Sequence, residues 1–572
     1  MSVNRQTYSL PEELAGPVGA SLDSWKQYNK VQQLWHKDAT LWTGADEDKW
    51  LGWLSITEEE LEEFAKLKQI AAEIKKAGFK HALLLGMGGS SLCPEVLRMT
   101  FGKAAGYPDL RVLDSTDPAQ IKSIESKVDL ASTICIVSSK SGSTLEPNIY
   151  KQYFFERVKA KVGVKEVGNR FIAITDPGSK LQRVAEKDKF RKCFMGVPSI
   201  GGRYSALSNF GLVPAAVMGI NVAKFLKTTR QMVDACGAGV AADENPGVVL
   251  GTILGVAANQ GRGKLTIIAS PKIFDLGAWL EQLIAESTGK SGKGIIPVDR
   301  ERLAAPDAYG KDRVFAYLRL STAPDKSQES AVEALIKSGQ PVVRITLSST
   351  YTLGQEFFRW EIATAVAGAI IGINAFNQPD VEASKAETRK LTSEYEQTGK
   401  LPPEFPFFQG EGIKLYADPK NTSALKGGAT LSGFLKKHLA RAQSGDYFAL
   451  LGYLPMNGPN EEALQSIRHE VRDKTKLATV LGFGPRFLHS TGQAYKGGPN
   501  SGVFLQITCD DASDLLVPGQ KYTFGVVKAA QARGDFAVLA ERGRRAMRVH
   551  LGKDVAAGLA TLASAVNEGL AS

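Results

Sequence analysis

The chain has 572 residues, 43% of them hydrophobic and 23% charged, a balance that fits a globular protein and excludes a fibrous or low-complexity one. At roughly 150 residues per domain it has room for about three or four domains. Lys and Arg exceed Asp and Glu by 70 to 60, a formal charge of +10. That excess would help to attract an anionic substrate. The basic residues are dispersed, with only Glu541 to His550 (ERGRRAMRVH) locally dense, so no nucleic-acid partner is expected.

The N-terminal sequence MSVNRQTYSLPEELAG lacks a basic patch followed by an apolar run, so no secretory signal is expected. The longest apolar stretch, Ile362 to Ile373, is too short to span a bilayer and reads as a buried core helix. A cytoplasmic protein with no membrane partner is the expectation. The five cysteines, Cys93, Cys135, Cys193, Cys236 and Cys509, lie far apart with no C-x-x-C pair. They suggest neither a disulfide framework nor a zinc site, and are read as reduced structural thiols.

Residues 1–75 are expected to form a helical N-terminal extension that carries Trp25, Trp35, Trp42, Trp50 and Trp53 and packs on the first domain. Over 58–77, Leu61, Phe64, Leu67, Ile70 and Ile74 recur at helical spacing before Gly78. Residues 76–235 then alternate: strand HALLLGMG, a helix from Pro94, strands LRVLD and TICIVSS, a helix from Thr144 and strand RFIAIT. Buried apolar runs between helices predict a parallel sheet covered on both faces. A second such unit over 236–395 holds KLTIIAS, helix AWLEQLIAE, VFAYLRL, helix SAVEALIKS, VVRITL and a long helix from about Gln355. Residues 396–430 read as a linker, and 431–572 as a further α/β region. In that region AYKGGPNSGVFLQIT (from Ala494) and KYTFG (Lys521 to Gly525) echo AYGKDRVFAYLRL (from Ala308) and TYTLG (Thr350 to Gly354). It is therefore a candidate partial repeat of the second unit, with shared α/β periodicity as the competing explanation.

Two loops carry the chemical signal. GMGGSS (Gly86 to Ser91) joins a strand to a helix, where small residues let backbone amides approach an anion. It lacks the full dinucleotide spacing, because Leu92 and Cys93 stand where a third glycine would fall. SSKSGSTLEP, with Ser138, Ser139, Ser141, Ser143 and Thr144, offers several hydroxyls beside a helix start. That is a phosphate cradle needing no metal, set against the plainer reading of serines that merely cap a helix.

These loops resemble the sugar isomerase domain. PSIGGRYSALSNFG (Pro198 to Gly211) resembles the first signature of the glucose-6-phosphate isomerase family, and INAFNQPDVEASK (Ile373 to Lys385) the second. AESTGK (Ala285 to Lys290) matches the family segment that bears its catalytic glutamate. The resemblance implies an α/β fold of two sugar isomerase domains plus the C-terminal α/β region, a homodimer, a sugar-phosphate substrate, and neither cofactor nor metal.

Residue by residue, the resemblance implies substrate contacts at Gly89, Ser90, Ser139, Lys140, Ser141, Thr144, Gly202, Gln282 and Gln378. Glu286, Arg203 and Lys385 fall on catalytic positions. Proton transfer between C1 and C2 needs a carboxylate base, the role of Glu286, and the enediolate needs a fixed cation, the role of Arg203. Lys385 inherits a part in ring opening. The family's histidine, expected between glutamate and lysine, is absent there: the six histidines are His36, His81, His438, His469, His489 and His550. His489, in LHSTGQ (Leu488 to Gln493), is the candidate replacement, supplied by the same subunit or a neighbour.

The C-terminal region also makes the chain similar to the isomerase half of bacterial fusions with transaldolase. An extension of about 75 residues is too short for a barrel of about 250, so no transaldolase activity is expected. Reversible isomerisation of glucose 6-phosphate and fructose 6-phosphate, in glycolysis and gluconeogenesis, is the expected activity. The alternatives are an isomerase acting on mannose 6-phosphate as well, and a non-catalytic sugar-phosphate sensor, which would have no need of Glu286, Arg203 and Lys385 together.

Overall fold

A computed structural model of the chain describes residues 2–571. Its sixteen strands fall, in chain order, into an edge strand and three groups. Strand β1 is Arg5–Ser9. The first group is β2 (His81–Leu85), β3 (Asp109–Leu113), β4 (Thr133–Ser138), β5 (Phe171–Thr175) and β6 (Lys192–Met195). The second is β7 (Lys264–Ala269), β8 (Ile296–Val298), β9 (Arg313–Leu320) and β10 (Val342–Leu347). The third is β11 (Phe408–Gly410), β12 (Ile413–Tyr416), β13 (Tyr447–Tyr453), β14 (Ala478–Phe483), β15 (Gly502–Thr508) and β16 (Arg545–His550).

The sheets run β3-β2-β4-β5-β6, β1-β10-β9-β7-β8 and β11-β12-β16-β15-β13-β14. Every pairing within the first group is parallel, so its strands read as continuous apolar runs. The first four parallel strands of each sheet share one order, second, first, third, fourth, and the first sheet adds β6 as a fifth. The third sheet matches the second in strand order, and each has an antiparallel strand beside its fourth strand: β1, at the edge, in one and β12, itself flanked by β11, in the other. In this order the chain reverses direction of growth between first and third strands, and α/β sheets bind ligands at the carboxyl ends there.

Several elements depart from the sequence reading. The 58–77 helix is two, Ile56–Glu62 and Ala65–Ala77, with Phe64 partly exposed at the step. The N-terminal extension is not purely helical and does not pack on the first unit alone. β1 joins the second sheet, Trp42 Nε1 donates to Ala365 O at 2.8 Å, and Trp35 lies 6.3 Å from Phe358. The stretch 396–430 holds β11, β12 and the helix Pro419–Ala424, so it begins the third sheet rather than linking to it. The apolar stretch at Ile362 lies in the almost wholly buried helix Leu353–Ile371, and no helix among the described residues is long and apolar enough to cross a membrane. The basic ERGRRAMRVH is largely β16: Arg544 and Arg548 are buried, the latter paired with Glu404 at 2.8 Å.

Candidate active site

A cavity of about 700 Å³ opens where the three sheets and the extension meet. The first sheet supplies its anion-facing wall, at the reversal between β2 and β4. After β2, Gly88 turns at φ +57°, and a Cβ on Gly89 would lie 2.0 Å from Gly202 O. Only glycine lets the two loops touch. After β4, Gly142 turns at φ +64°, where a Cβ would come within 2.5 Å of Leu181 N. This presents Ser141, whose Oγ is 2.9 Å from Ser143 Oγ, and Thr144, the extended residue that precedes helix Leu145–Val162. Free amides at that helix start favour an anion. Lys140 borders the same wall and is paired with Asp176 at 2.5 Å.

Gly89, Ser90, Lys140, Ser141, Thr144, Gly202, Gln282, Gln378, Glu286, Arg203, Lys385 and His489 all line the cavity. Ser139 does not. Its amide extends the β4–β5 ladder by donating to Ile174 O at 3.0 Å, which leaves the residue buried beneath the loop, its Oγ without a hydrogen-bond partner among the described residues.

Glu286 sits near the end of helix Leu276–Thr288, which follows β7, and is 8% exposed. Its Oε1 is 3.6 Å from Arg203 Nη1, and its Oε2 accepts from Gln282 Nε2 at 3.1 Å. Arg203, 2% exposed, donates from Nε to Ser287 Oγ (2.7 Å), from Nη1 to Gln378 Oε1 (3.0 Å), and from Nη2 to the carbonyls of Ala375 (2.8 Å) and Asn377 (3.0 Å). These bonds engage four of its five N–H donors and leave one, on the Nη1 beside Glu286. The guanidinium is thus fixed in orientation with a donor to spare for a developing oxyanion.

His489 reaches the cavity from the loop after β14, in the same chain as Glu286. Its backbone O accepts from Gln282 Nε2 at 2.8 Å, and its Nε2 is 2.9 Å from Glu146 Oε1. Burial on its own would push the Glu146 carboxyl up, but the charge and hydrogen bond of His489, with a backbone hydrogen bond and Lys385, together outweigh it, and the carboxyl stands below its ordinary value. An ionised carboxylate only accepts, so His489 Nε2 carries the hydrogen. Gln531 Nε2, from helix Phe524–Glu541, also donates to Glu146 Oε1, at 2.6 Å. Lys385 pairs with Glu382 at 2.8 Å on the facing helix Pro379–Thr398.

Sequence reasoning missed Glu146, Gln531 and Glu382, and the extension residues Asp46 and Trp50 that also line the cavity. Glu146 lies inside the quoted serine loop, where it reads as an ordinary first-turn acid, and its partner is 343 residues away. Glu382 lies inside the quoted INAFNQPDVEASK, and no pattern in the chain signals Gln531, Asp46 or Trp50.

Comparisons with known proteins bear on this constellation. Residues 60–301 match the model of the family described as phosphoglucose isomerase, a span that holds both loops, Arg203 and Glu286. The glucose-6-phosphate isomerase of Methanocaldococcus jannaschii is 29% identical over 343 residues, 54% of this chain and 83% of that protein. That of Staphylococcus haemolyticus is 28% identical over 410 residues, 63% of this chain and 90% of its own. A solved hypothetical protein of Thermus thermophilus superposes with a TM-score of 0.59 at 24% identity, covering 67% of this chain and 99% of its own. The glucose-6-phosphate isomerase of Chlamydia trachomatis superposes with a TM-score of 0.52 at 20% identity, covering 64% and 78%. At these identities the solved structures speak to fold alone.

Proposed function

We infer that this chain belongs to the phosphoglucose isomerase family and interconverts glucose 6-phosphate and fructose 6-phosphate, the step that links the two sugars in glycolysis and gluconeogenesis. The observation that carries the reading is the buried Glu286 carboxylate 3.6 Å from a fixed Arg203, facing two loops suited to a phosphate. A cavity of about 700 Å³ is ample for a hexose phosphate.

The geometry supports the following residue roles. The phosphate lies against Ser90, Ser141, Thr144 and the start of helix Leu145–Val162, with Lys140 nearby. Ring opening requires the anomeric hydroxyl to lose its proton, the C1–O5 bond to break and O5 to take a proton. Lys385 and His489, the latter held by Glu146, border the cavity as donor and acceptor for these transfers. In the open sugar Glu286 takes the C2 proton, the C–H electrons form the C1–C2 double bond, and negative charge collects on O1 beside Arg203. A proton then shifts from O2 to O1 and Glu286 returns its proton to C1, leaving the ketone at C2. Removing water from such a site strengthens each of these interactions.

All of these groups come from one chain, with His489 entering on the third sheet's loop. The reading also carries a homodimer, inherited from the resemblance, and the cytoplasmic location expected from the sequence, with sedimentation and cell fractionation as their checks. The activity is tested by product analysis with glucose, fructose and mannose 6-phosphates in turn. Interconversion of the first two is expected. Turnover of the mannose compound would widen the substrate range, and binding of all three without turnover would overturn the enzyme reading in favour of a sensor.

A further inference from the structure

Gln493 is fully buried on the short helix Gly492–Gly497 and does not border the cavity. Its Oε1 accepts from the backbone amides of Asp380 (2.9 Å) and Val381 (3.3 Å). These are first-turn donors of helix Pro379–Thr398, whose own N-cap, Gln378, provides no side-chain cap. Its Nε2 donates to Gly289 O (3.0 Å) and to Asp380 Oδ2 (2.8 Å). Two amide hydrogens face one end of the side chain and two oxygens face the other. Only a neutral primary amide meets both, since a carboxylate cannot donate and a cation cannot accept.

Each partner adjoins a functional side chain. Gly289 ends the helix that carries Glu286, and Asp380 and Val381 open the helix that carries Lys385. Asn377 and Gln378, just before that helix, hold Arg203, and His489 lies four residues ahead of Gln493. The backbones are packed hard around this junction: a Cβ on Gly289 would lie 2.3 Å from Ala494 Cα, and one on Gly497 would lie 2.2 Å from Asp380 Oδ2.

We propose that Gln493 is a positioning residue for the isomerisation, a single buried amide that sets the segments bearing Glu286, Arg203 and Lys385 in register with the loop bearing His489. The proposal rests on the isomerase reading. It acts through distance: a misplacement of about 1 Å can cost about a hundredfold in rate.

The test compares wild type, Q493M, Q493E and Q493E/D380N by steady-state kinetics, with amide hydrogen exchange at Asp380 and Val381. Q493M is expected to lose roughly ten- to a hundredfold in kcat with KM within about threefold, and to exchange faster at both amides. Q493E keeps the acceptor but sets a carboxylate against Asp380. D380N restores a donor to that pair and is expected to raise kcat at least about tenfold over Q493E. A wild-type kcat in Q493M, or a double variant no faster than Q493E, would overturn the proposal, and the second comparison decides if Q493M does not fold. If wild type turns over no sugar phosphate, it is the isomerase reading that fails. Amide exchange then decides this proposal alone, with unchanged exchange in Q493M overturning it.

Discussion

Glu146 owes the largest part of its lowered proton affinity to a partner on another sheet, because burial pushes the carboxyl up and His489 is the strongest group opposing it. A carboxyl held below its unfolded value adds stability above that value and loses it as pH falls through the folded one. In H489N the backbone bond, Lys385 and Gln531 still oppose the burial but the largest opposing contribution is gone, so the Glu146 carboxyl rises and its charge stabilises less at neutral pH. The stability gap between wild type and H489N is therefore expected to widen from acid towards neutral pH and then level off, as read by urea unfolding across pH. A constant gap would mean that the pair is not coupled. At this scale the sequence was legible wherever chemistry sits in a short motif, as for Glu286 in AESTGK. It was silent where a role depends on a distant partner, as for Glu146 and Gln531.

The N-terminal extension shows how an element outside the sheets supports the site. Trp53, fully buried, stacks on Tyr204 with ring centroids 5.1 Å apart, and Tyr204 follows Arg203 in the chain. Trp53→Ala is expected to cost about 3–5 kcal/mol of stability through the cavity it leaves. Its kcat should also fall while the protein remains folded, because the segment that seats Arg203 loses its backing. Trp53→Phe should recover most of both, and an unchanged kcat in the folded alanine variant would count against the coupling. Helical periodicity located this region but not its detail. The step at Glu63–Phe64 leaves spacing nearly intact, and five residues of β1 carry too little pattern to show that they pair with a strand more than 330 residues later.

Over the whole molecule, three sheets of one strand order converge on one cavity, and their mutual packing fixes its shape. Arg313 and Glu301, both fully buried, meet at 2.8 Å, and Glu301 also accepts from Thr479 N (3.2 Å) on β14. Burial would raise the Glu301 carboxyl, but Arg313, with Arg468 and Thr479, outweighs it and holds it low, so this contribution too is lost as pH falls. Removing one partner of such a pair leaves a buried charge, and E301Q is expected to lose about 3–5 kcal/mol, measured by urea unfolding at neutral pH. The shared strand order was partly visible in the chain. AYGKDRVFAYLRL and AYKGGPNSGVFLQIT lead into β9 and β15, the matching third strands, whereas TYTLG and KYTFG open helices that follow the fourth strand in one sheet and the third in the other. Short apolar strands keep their pattern because both faces are buried, while turn motifs recur wherever a helix begins.

The central claim is that Glu286 moves the proton. The most direct measurement is a coupled assay of fructose 6-phosphate conversion to glucose 6-phosphate by wild type and Glu286→Gln, with binding of the sugar phosphate followed in parallel. The expected result is an active wild type and a variant that binds but turns over at least about a hundredfold more slowly, as loss of a general base requires. A variant within a few-fold of wild type would contradict the assignment of Glu286, and a wild type that binds without turnover would contradict the isomerase reading itself.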